Sequence, residues 1–346
     1  MAPKRVAVAM SGGVDSSAAA ALLKADGYEV SGVHMRLGAD VMSNNPADLE
    51  RTCKLLDIPL YKLNLEREFK QLVIDYFCRE YGRGRTPNPC VACNQYIKFD
   101  IVLERALETG AEYFATGHYA SVEATPEGYK LKKAVDITKD QSYFLYTLGQ
   151  EQLRRLLLPL GEFTKERVKT IARDMELPAS GHHDSQDVCF ISGDDYRAFI
   201  AGNIPLRDGE IVDINDKVLG KHGGLALYTV GQRQGLGLTS EEPLYVLEID
   251  AESNKIVVGS REKALHNVLV ARQLSWISGQ SPKVPMEITA KIRYKAPEAA
   301  AELYPGDDGV EVRFSEPQSA MAPGQSVVFY RGDEVLGGGI IDAVIY

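Results

Sequence analysis

Two short stretches carry residue types whose spacing could do chemistry. The first is Ser11-Gly12-Gly13-Val14-Asp15-Ser16-Ser17, which follows a short apolar run and precedes an alanine-rich one. Paired glycines let the backbone turn tightly and expose its amides. Such amides form a concave nest for an anion such as phosphate. A helix starting near Ser16 would add its positive end to the same place, and the Ser11 and Ser16 hydroxyls are further donors. Asp15 is an odd neighbour for an anion unless a cation bridges the two, so Mg²⁺ held partly by Asp15 is expected with a bound nucleotide. The loop is neither G-x-x-x-x-G-K-[ST] nor G-x-G-x-x-G.

The second stretch is Cys90-Val91-Ala92-Cys93, within GRTPNPCVACNQYIKFD (84–100). Pro87 and Pro89 stiffen the approach, and a helix is expected to begin after Asn94. Cys93 would then lie near a helix N-terminus with Arg85 and Lys98 close in sequence, and both features favour a thiolate. A third candidate, Cys189, lies in GHHDSQDVCFISGDDY (181–196), shortly after His182 and His183. Only the fold can bring Cys189 to Cys93.

The elements that must position these residues alternate along the first half of the chain. Val6–Met10, Val30–Met35 and Tyr113–Thr116 read as buried strands. Ser16–Ala25, Ala47–Leu56, Glu66–Tyr81 and Phe99–Leu107 read as helices. This predicts a doubly wound parallel sheet covered on both faces, with ligands beyond the carboxyl ends of its strands. Both SGG and the TGH at 116–118 fall at such ends. One helical stretch is expected over Gln150–Met175. From Ile204 onward short alternating runs separated by turns predict antiparallel hairpins, the last portion forming a small barrel or sandwich, of which a β-barrel is the expected fold. The expected domains are 1–202, 203–265 and 266–346.

Composition narrows the class. Of 346 residues, 45% are hydrophobic and 25% charged, the mix of a soluble globular protein, and no apolar run approaches a membrane span. The apolar stretch in residues 1–10 is too short for a signal peptide. Five cysteines are few and odd in number, which suits a reducing cytosol and predicts a cytoplasmic location. Cys53 and Cys78 read as packing residues, and Trp276 as core. A formal charge of −9 argues against an indiscriminate nucleic-acid binder. Local basic spots remain: Arg79, Arg83, Arg85 and Lys98 with one acid among them (Glu80), and Lys283, Lys291, Arg293 and Lys295 with one (Glu287).

SGGVDSS resembles the PP-loop of ATP pyrophosphatases, which split ATP between its α and β phosphates to adenylate a substrate oxygen. With VHM (33–35), EYGRGRTPNPCVACNQYIKF (80–99), ATGHYA (115–120), KDQSYFLYTL (139–148), SQDVCFI (185–191), LYTVGQRQGLG (227–237), IRYK (292–295) and APGQSVVFY (322–330), the whole chain is similar to the bacterial tRNA-specific 2-thiouridylases. The resemblance implies an ATP-dependent exchange of oxygen for sulfur at C2 of a wobble uridine. It implies a persulfide on Cys189 as sulfur carrier and Cys93 as the second catalytic cysteine, with a Cys93–Cys189 disulfide left after each turnover. Ala9, Met10, Ser11, Gly12, Gly13, Val14, Asp15, Ser16, Met35 and Gly117 would line the ATP site. Asn88, Pro89 and Cys90 would meet the target base, and His118, Lys139, Asp140, Gln141, Arg293, Tyr294 and Gln325 would meet tRNA. The base must be flipped out of its loop to be reached. The partners implied are tRNA and a sulfur-donor protein (a cysteine desulfurase or a relay protein), with no membrane.

The chain departs from the family at Cys90, where many members carry aspartate, and it is short between Leu37 and Asp48. Three readings of Cys90 stand side by side. The first is a neutral replacement. In the second, Cys90, Cys93 and Cys189 hold three irons of a [4Fe–4S] cluster, which replaces the persulfide. In the third, the three cysteines hold zinc with His182 or His183. Rival functions are a PP-loop synthetase acting on a small molecule and a non-catalytic tRNA-binding protein.

Overall fold

The computed structural model describes residues 3–38, 46–178, 188–191 and 196–345. Its first sheet is built from β1 (Arg5–Ala9), β2 (Glu29–Arg36), β3 (Leu60–Asn64) and β4 (Tyr113–Ala115). After β4 the chain makes an antiparallel hairpin, β5 (Ala120–Thr125) and β6 (Gly128–Lys133), before returning as β7 (Leu156–Leu157). The sheet order is β3-β2-β1-β4-β7, parallel throughout.

Alternation along β1 explains the two-sided cover. Ala7 and Ala9 face one core, built against the continuous helices α3 (66–82) and α4 (89–108). Val6 and Val8 face the other, built against α1 (Val14–Ala25), α2 (Pro46–Leu55) and Val168 and Ala172 of a later helix. Ala18 to Ala21 of α1 are almost wholly buried, their small side chains allowing close approach to the sheet. The doubly wound parallel sheet expected from the sequence is therefore observed.

The stretch 150–175 is not one helix. It divides into α5 (Gln150–Arg155), strand β7 and α6 (Lys165–Asp174). Pro159 and Gly161 stop a helix between them, and Thr164 caps α6 by accepting from the Arg167 amide at 3.3 Å. A short helix, α7 (Tyr196–Asn203), leads to the second half.

There, β8 (Gly209–Asp213), β9 (Val218–His222), β10 (Tyr245–Asp250) and β11 (Lys255–Gly259) form a small sheet ordered β10-β11-β8-β9 around Ile211, Val246, Ile256 and Val258. Then β12 (Leu265–Trp276), β13 (Met286–Lys291), β14 (Ala299–Gly306), β15 (Gly309–Ser319), β16 (Ser326–Arg331) and β17 (Glu334–Ile345) follow. Pairing of β12 with both β15 and β17 closes these six into a barrel. Trp276 packs on its core, stacked on Phe329 with centroids 5.6 Å apart. Cys53 is buried and Cys78 packs against the first core.

Several connections tie barrel to sheet. Strand β6 pairs with β17, Leu131 opposite Val335 and Lys132 opposite Glu334. Arg85 reaches the Ile341 carbonyl (3.1 Å) and Asp342 (3.3 Å), while the Thr86 amide donates to the Pro323 carbonyl (2.8 Å). The segment leading into α4 is thus held by the barrel. Among the described residues no helix is long and apolar enough to cross a membrane.

Candidate functional site

The phosphate loop leaves the carboxyl end of β1. Gly12 has φ +83°, a left-handed conformation that suits glycine. The Ser11 hydroxyl accepts from the Gly13 amide (3.3 Å), and the Ser16 hydroxyl donates to the Gly13 carbonyl (3.1 Å). Helix α1 has Gly13 as its N-cap and no side-chain cap. Its first amides are therefore the donors an anion would meet. Gly117 closes over this turn from the end of β4. A Cβ there would lie 2.8 Å from the Asp15 carbonyl carbon and the Ser16 nitrogen. The contact falls where strand order reverses between β1 and β4, the usual ligand position in such sheets.

Asp15 does not face the loop as expected. Both of its carboxylate oxygens lie 2.8 Å from Lys165 Nζ, and the Tyr119 hydroxyl donates to Oδ1 at 2.8 Å. A divalent ion would have to displace a buried ammonium to use this carboxylate. The donors around Asp15 therefore do not fit a Mg²⁺ site, and no step is assigned to such an ion there. Lys165 carried no local signal in the sequence, being 150 residues away.

A cavity of about 810 Å³ opens from the loop. Met10, Ser11 and Met35 line one part, and Pro89, Cys90, Cys93, His118, Gln141 and Cys189 line the rest. Three cysteines distant in sequence thus share one wall system with the phosphate loop. Asn88, Arg293, Tyr294 and Gln325 do not line the cavity. Its lining includes Arg36, Lys62 and Lys98 and, among the described residues, no carboxylate, which suits a polyanionic ligand. Arg36 and Lys62 lie on β2 and β3, whose carboxyl ends the strand rule would have flagged.

Helix α4 begins six residues earlier than expected. Asn88 is its N-cap, accepting from the Val91 amide at 3.3 Å, and Pro89 occupies the first turn. Cys93 therefore sits inside the helix, at the start of a π-helical stretch, Cys93–Val102. Wide turns of this kind are rare and concentrate at functional sites. Burial pushes the Cys93 thiol up, with Lys98 only partly opposing it. The thiolate expected from the sequence is thus disfavoured in the resting protein. Burial likewise raises Cys90, and pushes Cys189 up to about 12, with Cys93 and Cys90 adding to the effect.

His118 Nδ1 lies 2.7 Å from the Thr116 hydroxyl, and burial holds the ring neutral, well below the usual histidine range. Gln141 accepts from the Tyr119 amide at 3.0 Å. Asp140 is buried, accepting from the Ala134 amide (3.0 Å) and the Ser142 hydroxyl (2.8 Å). Its side chain knots the chain rather than facing RNA, so the expected Asp140 contact is not available to its carboxylate. Arg293 is exposed, and Tyr294 packs on Phe144 with centroids 4.4 Å apart. Phe144 lines the cavity, a role that its place in KDQSYFLYTL did not reveal. The Phe144 carbonyl accepts from Asn94 Nδ2 at 3.1 Å.

Among the described residues no three His, Cys, Asp or Glu side chains are placed to hold a metal ion. No step is routed through iron. His182 and His183 lie outside the described residues.

Family profiles match in chain order: a tRNA methyl transferase HUP domain over 4–193, a tRNA methyl transferase PRC-barrel domain over 197–260, and an aminomethyltransferase beta-barrel domain over 266–341. The chain is 48% identical to the tRNA-specific 2-thiouridylase MnmA 1 of Caldanaerobacter subterraneus subsp. tengcongensis, covering 98% of both chains. The chain belongs to the bacterial tRNA-specific 2-thiouridylase family. Another 2-thiouridylase, from Acetivibrio thermocellus, is 46% identical over 99% of this chain and 100% of its own. Within this 2-thiouridylase the PP-loop domain, the central sheet and the closed barrel succeed one another as the sequence leads one to expect.

Proposed function

We propose that this chain, a tRNA sulfurtransferase by family, replaces the C2 oxygen of a wobble uridine with sulfur at the expense of ATP. The observation that carries the reading is the single cavity shared by the phosphate loop and Cys90, Cys93 and Cys189. A uridine C2 carbonyl is a poor electrophile, and its oxygen a poor leaving group. Attack of that oxygen on the α-phosphorus of ATP expels pyrophosphate and makes AMP the leaving group.

The terminal sulfur of a Cys189 persulfide then attacks C2 and AMP departs. A Cys93 thiolate attacks Cys189 Sγ, the sulfur–sulfur bond breaks, and the electron pair leaves with the sulfur on C2 as the thiocarbonyl. Cys93 and Cys189 are left as a disulfide, which an external thiol reductant restores. A donor protein, a cysteine desulfurase or relay protein, reloads Cys189. The uncapped amides of α1, with Ala9 to Ser16, Met35 and Gly117, hold ATP. Asn88, Pro89 and Cys90 meet the base, and His118, Lys139, Gln141, Arg293, Tyr294 and Gln325 meet the tRNA. The catalytic unit spans 1–202, the central unit 203–265 and the barrel 266–346, working in the cytoplasm.

The test measures products together with iron. Protein purified without oxygen, given tRNA, ATP and a persulfide donor, is expected to yield AMP, pyrophosphate and 2-thiouridine with no stoichiometric iron. About four irons and four sulfides per chain, lost in Cys90→Ala, would replace the persulfide route with a cluster. AMP formed equally fast without tRNA, and no thiouridine, would defeat the reading altogether.

A further inference from the structure

We propose that Lys98 is the cationic partner of the sulfur anion at Cys93, placed for that role by the π-helical register of α4. The inference rests on the assignment of sulfur chemistry to Cys93. In an α-helix, residues five apart point about 140° away from each other. In a π-helix the repeat bond joins residue i to i+5, so residues five apart lie roughly one turn above each other. Cys93 opens the π-helical stretch and Lys98 lies five residues on. Both line the cavity. An ordinary α-helical turn would carry Lys98 around the helix, away from Cys93.

The rest of the cavity leaves this charge uncommitted. Among the described residues no carboxylate pairs with Lys98, whereas Lys62, the other lysine of the lining, is paired with Glu50 at 2.6 Å. The titratable groups that share the lining are Cys90, Cys93, Cys189, His34 and His118, with Arg36 and Lys62. Of these, His118 is held neutral by burial. Lys98 opposes the upward push of burial at Cys90, Cys93 and Cys189 alike. Desolvation pushes the Cys93 thiol up, and one fixed cation favours the anion in which the reaction needs it.

The test reads thiol chemistry in the full chain without tRNA or ATP, so its result does not depend on whether Cys93 takes part in thiolation. Alkylation of each cysteine by iodoacetamide is followed by peptide mass spectrometry across pH. Lys98→Met is expected to slow Cys93 at pH 8 by about ten-fold and to move its pH midpoint upward, and Lys98→Arg to restore most of the rate. Buried Cys53 reports whether the fold is kept. A second measurement needs no variant: in the native protein, anionic iodoacetate should gain on neutral iodoacetamide at Cys93 relative to glutathione, and lose that gain in high salt. An unchanged Cys93 profile in folded Lys98→Met, or an iodoacetate ratio equal to that of glutathione, overturns the proposal. Failure of Cys93→Ser to affect thiolation would instead defeat the functional reading and leave the Lys98 result standing.

Discussion

Lys165 Nζ sits 2.8 Å from each carboxylate oxygen of Asp15, joining the first turn of α6 to the first turn of the helix that carries the phosphate loop. The lysine side chain is 8% exposed and the aspartate 32%. Removing one partner strands a mostly buried charge, whereas removing both does not. Lys165→Met is therefore expected to destabilise the protein by about 2 kcal/mol, reduced from the fully buried case because Asp15 meets some solvent. The double variant with Asp15→Asn should lose clearly less than the sum of the two single losses. Urea denaturation of the four proteins checks this, and strict additivity would show that the pair is not coupled.

Cys93→Ser should abolish 2-thiouridine formation while leaving tRNA affinity within about three-fold, because a sulfur-to-oxygen change removes the nucleophile and keeps the shape. Nucleoside mass spectrometry and filter binding read the two arms. Thiolation at the native rate would remove Cys93 from its role.

The partly buried Cys189 thiol makes stability pH-dependent in a definite direction. Cys189 rises from an ordinary value of 9.0 to about 12 in the folded chain. Below pH 9 both folded and unfolded chains keep the proton, and the stabilisation is fully present. Between pH 9 and 12 only the unfolded chain releases it, so stability falls as pH rises. Thermal melts from pH 8 to 11 should show Cys189→Ala falling less steeply than the native protein. Parallel curves would contradict the assignment.

Phe144 lines the cavity and packs against Tyr294. If this pair is the shelf for a flipped base, Phe144→Ala should raise the KM for tRNA by roughly ten-fold, the worth of one stacking contact. The KM for ATP should be unchanged and Phe144→Tyr near native. Steady-state kinetics with each substrate varied in turn tests this. Equal effects on both substrates would point to a general loss of packing.

Sequence alone reveals what is local and periodic. The phosphate loop is legible because seven consecutive residues carry it, and the parallel sheet because buried strands and helices alternate. The start of α4 is misread because Pro87 and Pro89 look like stiffeners, although Asn88-Pro89 is also an N-cap followed by a first-turn proline. The π-helical turn after Cys93 leaves no mark in residue types. Lys165 is invisible as a partner because its aspartate lies 150 residues away and only the sheet brings them together. The β5–β6 hairpin escapes notice because β5 is short and small-residue-rich and β6 carries three lysines, and its pairing with β17 is visible only in three dimensions.

That pairing has a thermodynamic consequence. Strand β5 begins at Ala120, directly after Tyr119, whose hydroxyl holds Asp15. Its partner β6 is bonded to the barrel strand β17. Main-chain hydrogen bonds therefore run from the barrel wall to β5, and the Tyr119 side chain carries the connection on to Asp15 beside the phosphate loop. On the proposed function, an RNA on the barrel and a nucleotide in the loop would load opposite ends of one frame. If either ligand changes the other's affinity, the second must change the first by the same factor. A titration of ATP with and without tRNA therefore measures, from one side, a coupling that belongs equally to both.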